Sequence, residues 1–383
     1  MKLLNWLNLF AFSVLSFSAA ASSLSAPVPS TLADLGRHLF FDVNLSQNRT
    51  QSCATCHDPA AGFVDPRDHV GGAVSLGDDG RSLGDRNAPT VSYAGFSPHF
   101  HRSDDGKYVG GQFLDGREPD LTGQAGGPPL NPIEMGMPDK AAVVARLREN
   151  PMYVASFVKL FGAEVFAQPG TAYTAMTQAI AAFEAGDEFA PFDSRYDRYL
   201  RGEYTLTEQE DLGMTLFFSR QFTNCNLCHQ LKKQGGGEGE TFSNYQYHNI
   251  GVPENRAVRA VNGVKAGHVD KGLLANPLVD DPAQAGRFKV PTLRNVAVTG
   301  PYMHNGVFKD LRTVVLFYNK YNSRAARRQI NPETGVPWAS PEVAENISLE
   351  ELETGPALKD DRIDALVAFL KLLTDRRYEP LLK

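Results

Sequence analysis

At 383 residues the chain has room for two domains of ordinary size, each able to bury its own core. Its formal net charge of −6 argues against nucleic acid as a partner and suits a basic electron donor or protein substrate. Four cysteines are present, and their spacing decides what they do.

The N-terminus reads as a secretory signal over 1–21: Lys2, an apolar run from Leu3 to Phe17, then small residues with Ala19-x-Ala21 as a cleavage site. The run is too short to span a bilayer, so the expectation is a periplasmic protein with no membrane span after cleavage. Ser30 or Thr31 then starts a helix that carries Leu35-Gly-Arg-His-Leu-Phe-Phe41 and leads to Cys53-Ala-Thr-Cys56-His57. A C-x-x-C pair followed directly by His is the c-type haem attachment pattern: two thiols form thioethers and the histidine reaches the iron. A zinc site would usually place its histidines well downstream, and a redox dithiol needs no adjacent His.

Beyond a Gly/Pro-rich stretch from 62 to 136, apolar spacing predicts helices over Asp139 to Phe161 and Thr171 to Ala185. Thr207 with Glu210 forms a capping-box signal for a helix carrying Leu212-Gly-Met-Thr-Leu-Phe-Phe218. That segment matches Leu35 to Phe41 at five of seven positions and again precedes a haem motif, Cys225-Asn-Leu-Cys228-His229. In both copies the paired phenylalanines would wall an apolar macrocycle. Two covalent haems use all four cysteines and leave none for a disulfide. Further helices are expected over Leu311 to Tyr318 and Asp361 to Leu373, with long irregular stretches at 233 to 305 and 323 to 358. The fold class is mainly α, with two cytochrome c-like haem domains, 22–195 and 196–383, joined near Gly186 to Arg201.

Two haems alone would make an electron carrier with both irons closed. An enzyme needs one open iron flanked by acid/base groups. The loop Phe113-Leu-Asp-Gly-Arg117, Gln124 to Pro128 and Asn131 to Glu134 offers such groups, with Glu134 placed to move a proton during peroxide cleavage and Gln124 to hydrogen-bond the oxygens. On spacing alone, a surface Glu and Gln in a turn is the better reading.

These segments, with Arg86-Asn-Ala-Pro-Thr90, Tyr247-His-Asn-Ile-Gly251, Phe288 to Asn295 and Pro301-Tyr-Met-His-Asn-Gly306, resemble the bacterial diheme cytochrome c peroxidase and MauG superfamily over essentially the whole mature chain. The resemblance implies a peroxide-reactive N-terminal haem and an electron-transfer C-terminal haem. It implies His57 and His229 as proximal ligands and Glu134 as distal acid/base, with Gln124 and Pro128 in its pocket. It also implies a calcium ion held by Asn87, Thr299 and Pro301, an oxygen donor set that suits a hard cation.

The distal position of the second haem falls on Tyr318, as in MauG-like members; Met303 and His248 are the competing candidates. A phenolate favours higher oxidation states, whereas a thioether raises the potential. Two departures stand out: Leu114 falls where the MauG branch has its inter-haem tryptophan and Thr223 where it has a surface tryptophan for long-range oxidation of a protein substrate; a redox-active tyrosine could substitute. His69 reads as a loop histidine. The leading expectation is reduction of hydrogen peroxide with a cytochrome c or cupredoxin as electron donor. The alternatives are oxidative modification of a partner protein and a non-catalytic diheme carrier.

Overall fold

Thr31 accepts a hydrogen bond from the Asp34 backbone N–H and starts the first helix; Thr207 and Glu210 form the expected reciprocal capping box at the start of its counterpart. The computed structural model describes residues 28–231, 237–353 and 355–382, so the secretory segment 1–21 lies outside the described residues. The longer helices are α1 (Leu32–Phe40), α2 (Leu121–Ala125), α3 (Lys140–Arg148), α4 (Pro151–Phe161), α5 (Pro169–Glu184), α6 (Arg195–Leu200), α7 (Glu208–Phe218), α8 (Leu311–Asn319) and α9 (Asp360–Leu372). Single helical turns carry Cys53–Cys56 and Cys225–Cys228. The helix expected over Asp139 to Phe161 is two helices. Asn150 caps α4 and Pro151, which has no N–H to donate and disfavours helix in the residue before it, ends α3.

Two apolar cores result. One gathers residues between Leu35 and Phe189, the other residues between Tyr196 and Leu373. Each is organised by the same crossing, α1 on α5 and α7 on α9, and the repeated glycine explains it. A Cβ on Gly36 would lie 1.9 Å from the Ala179 carbonyl oxygen, and one on Gly213 would lie 1.9 Å from the Ala365 carbonyl oxygen. Only glycine lets these backbones meet. Phe40 and Phe217 are buried beside the crossings, against Phe183 and Phe369. Phe41, the second phenylalanine of the first pair, is 41% exposed.

Because the opposing atoms are backbone, neither site can relax by a rotamer change. Gly36→Ala and Gly213→Ala are therefore expected to destabilise by about 3 kcal/mol, the upper part of the usual overpacking range. Thermal melts of the haem-loaded protein should show a fall of several degrees for each, and an unchanged melt would mean that the helices slide freely.

Among the described residues the strands are dipeptides. β1 (His101–Arg102) pairs antiparallel with β2 (Tyr108–Val109), and β3 (Tyr247–His248) with β4 (Phe288–Lys289) in the register Tyr247 with Lys289 and His248 with Phe288. The second pair brings His248 and Lys289 to the site described next.

Candidate haem sites and the seam between them

Each C-x-x-C-His turn is held by a matching set of backbone contacts. His57 Nδ1 lies 3.3 Å from the Phe63 carbonyl oxygen, and His229 Nδ1 lies 3.1 Å from that of Phe242. The carbonyls of Pro89 and Pro291 also act on the two rings. Burial pushes both imidazoles down, His229 to about 4. With Nδ1 donating to a carbonyl, Nε2 of each neutral ring is left to face a metal. The symmetry runs further. Thr90 Oγ1 donates to the Gly62 carbonyl at 2.6 Å and Thr292 Oγ1 to that of Thr241 at 2.7 Å; three residues on from each threonine, Tyr93 (φ +59°) and Asn295 (φ +61°) share the left-handed conformation. This second repeat, Pro-Thr-x-x-Tyr/Asn, is legible in the sequence once the first is recognised.

Around the first turn, the Cys53 thiol is pushed up by burial and then by two carboxyl groups, Glu184 and Glu134. Glu134 sits in a knot of loop. Its N–H donates to the Asn131 carbonyl at 3.0 Å and its own carbonyl accepts from Asp78, while the Pro128 carbonyl accepts from the next residue, Met135, at 3.3 Å. Burial raises the Glu134 carboxyl above its ordinary value, opposed by the Arg117 guanidinium and by a hydrogen bond from Asn131. Arg117 stands 3.6 Å over the Phe113 ring and pairs with Asp115 at 2.9 Å; Phe113 packs against Gly127, between Gln124 on α2 and Pro128. The sequence-predicted trio Glu134, Gln124 and Pro128 thus belongs to one segment beside Cys53.

Glu184, which the sequence reading passed over as an ordinary residue of α5, is 4% exposed, and its Oε2 has no hydrogen-bond partner among the described residues. Burial raises its carboxyl to about 8 from an ordinary value of 4.5. A raised folded value means that the folded protein holds this proton where the unfolded chain has released it. Its contribution to stability is complete below pH 4.5 and is lost as pH rises through about 8. The melting temperature of the wild type is expected to decline across that window, and Glu184→Gln to flatten the decline; parallel profiles would place the proton elsewhere.

Around the second turn lies a cavity of about 390 Å³ lined by Cys225, Cys228 and His229, and also by Tyr318, Met303 and His248. All three candidate distal ligands therefore reach one cavity. Burial pushes the Tyr318 phenol up, and it has no hydrogen-bond partner among the described residues. Neither ring nitrogen of His248 is satisfied; Glu351 Oε1 is 3.6 Å from Nδ1. Lys289 lines the same cavity. It is half-buried, its amine is pushed down to about 7 by desolvation, and it donates to the Gly111 carbonyl and, at 3.4 Å, to Ser97 Oγ.

A model of the family described as di-haem cytochrome c peroxidase matches residues 30–205. The methylamine utilization protein MauG of Paracoccus denitrificans is 59% identical over 367 residues, covering 96% of this chain and 94% of its own. The chain belongs to the di-haem cytochrome c peroxidase and MauG family. The cytochrome c551 peroxidase of Nitrosomonas europaea is 30% identical over 351 residues, 91% of this chain and 81% of its own. The solved diheme peroxidase BthA from Burkholderia thailandensis superposes with a TM-score of 0.80 at 35% identity, covering 93% of this chain and 89% of that one.

Membership makes the chain a diheme c-type oxidoreductase, and its residues fit two haems. Each imidazole has one nitrogen free to meet an iron, and in the second cavity both ring nitrogens of His248 are without a hydrogen-bond partner. Lys289 was not singled out in the sequence, where it falls within the long irregular stretch 233 to 305; its pairing with Tyr247 is a feature of the fold.

Between the two haem turns runs a seam of buried charge. Arg86 binds Asp115 at 2.7 Å and, through two nitrogens at 2.7 Å, Asp270. Asp270 is held down to about 2, burial being overcome by this guanidinium. The next residue, Asn87, is fixed in turn: its N–H donates to the His304 carbonyl at 2.8 Å, and its Nδ2 to those of Ala73 at 3.1 Å and Gly72 at 3.4 Å. Asn87, Thr299 and Pro301 all line the cavity. Among the described residues no helix is long and apolar enough to cross a membrane.

Proposed function

We propose that this protein is a MauG-type periplasmic enzyme that draws oxidising equivalents from hydrogen peroxide at its N-terminal haem, shares them with its C-terminal haem, and uses them to modify residues of a partner protein of methylamine metabolism. The observation that carries this reading is the 59% identity to a methylamine utilization protein along 96% of the chain, against about 30% for a cytochrome c551 peroxidase. The expectation of a cytochrome c or cupredoxin as the terminal partner is thereby the weaker of the two. The reading takes 22–195 and 196–383 as the two haem units, which the two separate apolar cores support.

The bound haems would supply the redox chemistry; the chain supplies ligands, proton transfer and insulation. In this reading His57 and His229 would each hold one haem iron, and Tyr318 would be a second protein ligand to the C-terminal one. Glu134, its carboxyl raised by burial and opposed by the Arg117 guanidinium, would move a proton between the two peroxide oxygens. Gln124 orients the oxygens, and Pro128 walls the pocket. Asn87 Oδ1, free because Nδ2 is committed to Gly72 and Ala73, would join the carbonyls of Thr299 and Pro301 around a calcium ion that ties the halves together.

The test is to add one equivalent of peroxide to the diheme protein, follow the absorbance change, and then offer either reduced cytochrome c or the precursor of a methylamine-oxidising enzyme. Return of the resting spectrum with a mass change on the precursor supports the proposal. Rapid return with cytochrome c alone makes the protein a peroxide-detoxifying peroxidase, and two low-spin haems indifferent to peroxide make it a carrier.

A further inference from the structure

The position that carries tryptophan between the haems in the MauG branch is Leu114 here, and an aliphatic side chain cannot be oxidised in passing. Leu114 lines the C-terminal cavity, and so does Tyr93. Tyr93 is 1% exposed and sits in the turn whose Pro89 carbonyl touches His57, the N-terminal proximal residue. It therefore belongs to the N-terminal haem turn by chain and to the C-terminal haem cavity by packing.

Its hydroxyl donates to Asp375 Oδ1 at 2.7 Å, and the other oxygen of that carboxylate accepts from Asn295 Nδ2 at 2.8 Å. Tyr93 and Asn295 occupy equivalent places in the two repeats, so one buried carboxylate closes the symmetric seam from both sides. The Phe192 N–H also donates to the Tyr93 oxygen, at 3.2 Å. The Arg294 guanidinium lies 5.4 Å from the centre of the Tyr93 ring and is itself paired with Asp197. Burial and the Asp375 carboxylate raise the phenol, so losing an electron requires losing the proton at the same time. A phenol already donating to a carboxylate has its proton acceptor in place.

We infer that Tyr93 and Asp375 form the redox relay between the haems, standing in for the missing indole. This rests on the proposed reaction with peroxide, which is the oxidant. The Tyr93 phenol gives one electron toward the His57 side, and its O–H bond breaks as the proton passes to the Asp375 carboxylate. The neutral phenoxyl then takes one electron from the His229 side and recovers the proton from Asp375. The net result is one electron moved between the haems, with Tyr93 and Asp375 restored. Two such passages match the two electrons that one peroxide accepts.

Three proteins carrying both haems decide it: wild type, Tyr93→Phe and Asp375→Asn. Each is mixed with one equivalent of peroxide in H2O and in D2O, and the optical changes at the two haems are timed separately. Samples frozen within milliseconds are read by EPR, with ring-deuterated tyrosine to identify an organic radical. In the wild type the change at the second haem should be slowed about twofold or more in D2O, and a tyrosine radical should be trapped. Tyr93→Phe should lose the radical and delay the second haem at least tenfold, with the first haem reacting normally. Asp375→Asn, which keeps a hydrogen-bond acceptor but takes up no proton, should show the same delay with the EPR signals of both resting haems unchanged. Normal timing in both variants with peroxide reacting normally would overturn the relay alone. Failure of the wild type to react with peroxide would overturn the relay together with the function it rests on.

Discussion

Glu134→Gln is expected to slow the reaction with peroxide by about a hundredfold or more, the usual scale of a lost general acid/base. Glutamine fills the same space and keeps a hydrogen-bonding carbonyl, so the Asn131 to Met135 backbone knot should persist. What disappears is a group able to take a proton at one atom and return it at another. Burial favours this role. A carboxyl raised by desolvation, yet held back by the Arg117 guanidinium, is available in both protonation states nearer neutrality than a surface glutamate. Stopped-flow absorbance with excess peroxide measures the effect. The low-spin signals of the resting haems should be unchanged, because in the proposed reading Glu134 is not an iron ligand. If the variant reacts at the wild-type rate, Glu134 is a structural residue of the loop and the proton must travel by water.

Arg117 explains why this site was only half legible in sequence. Leu114-Asp-Gly-Arg117 could be read as a segment of interest, but its function depends on a stack over Phe113 and a pair with Asp115, fixed by a loop without helical or strand periodicity. The helices around it were readable because their signals are local: Thr31, Thr207 and Glu210 are within three residues of the groups they cap. The Asn150-Pro151 break carried an equally local signal, which the apolar spacing on either side masked. The glycine of the repeat was visible at positions 36 and 213, whereas the carbonyls it admits, Ala179 and Ala365, are more than a hundred residues away. The seam shows the same limit. Tyr93 meets Asp375 across 282 residues and Arg294 meets Asp197 across 97, and a buried ion pair leaves no periodicity to detect. The attachment motifs were legible without the fold, since five consecutive residues carry the whole signal.

Replacing Tyr318 should alter the low-spin EPR signal of the C-terminal haem and leave the N-terminal signal in place. Tyr318→Met is the more informative variant, because a thioether favours the reduced iron and should raise that haem's potential, while Tyr318→Ala should open the position to water or an added ligand. The case for Tyr318 over its rivals rests on surroundings. Met303 is in a left-handed turn (φ +73°) within the segment that follows Thr299 and Pro301, and its movement toward an iron would disturb both. His248 is fixed by the strand pairing of Tyr247 and His248 with Lys289 and Phe288, which ties it to the wall carrying the buried amine. Tyr318 comes from the last turn of α8 into the cavity lined by Cys225, Cys228 and His229, with its hydroxyl unpaired among the described residues. A hydroxyl held up by burial loses its proton only to a strong Lewis acid, so ligation by Tyr318 should appear as a phenolate-to-iron charge-transfer band that vanishes in Tyr318→Phe. A signal unchanged in every Tyr318 variant would transfer the position to His248 or Met303. It would also convert the second haem from a store of oxidising equivalents into an ordinary electron acceptor.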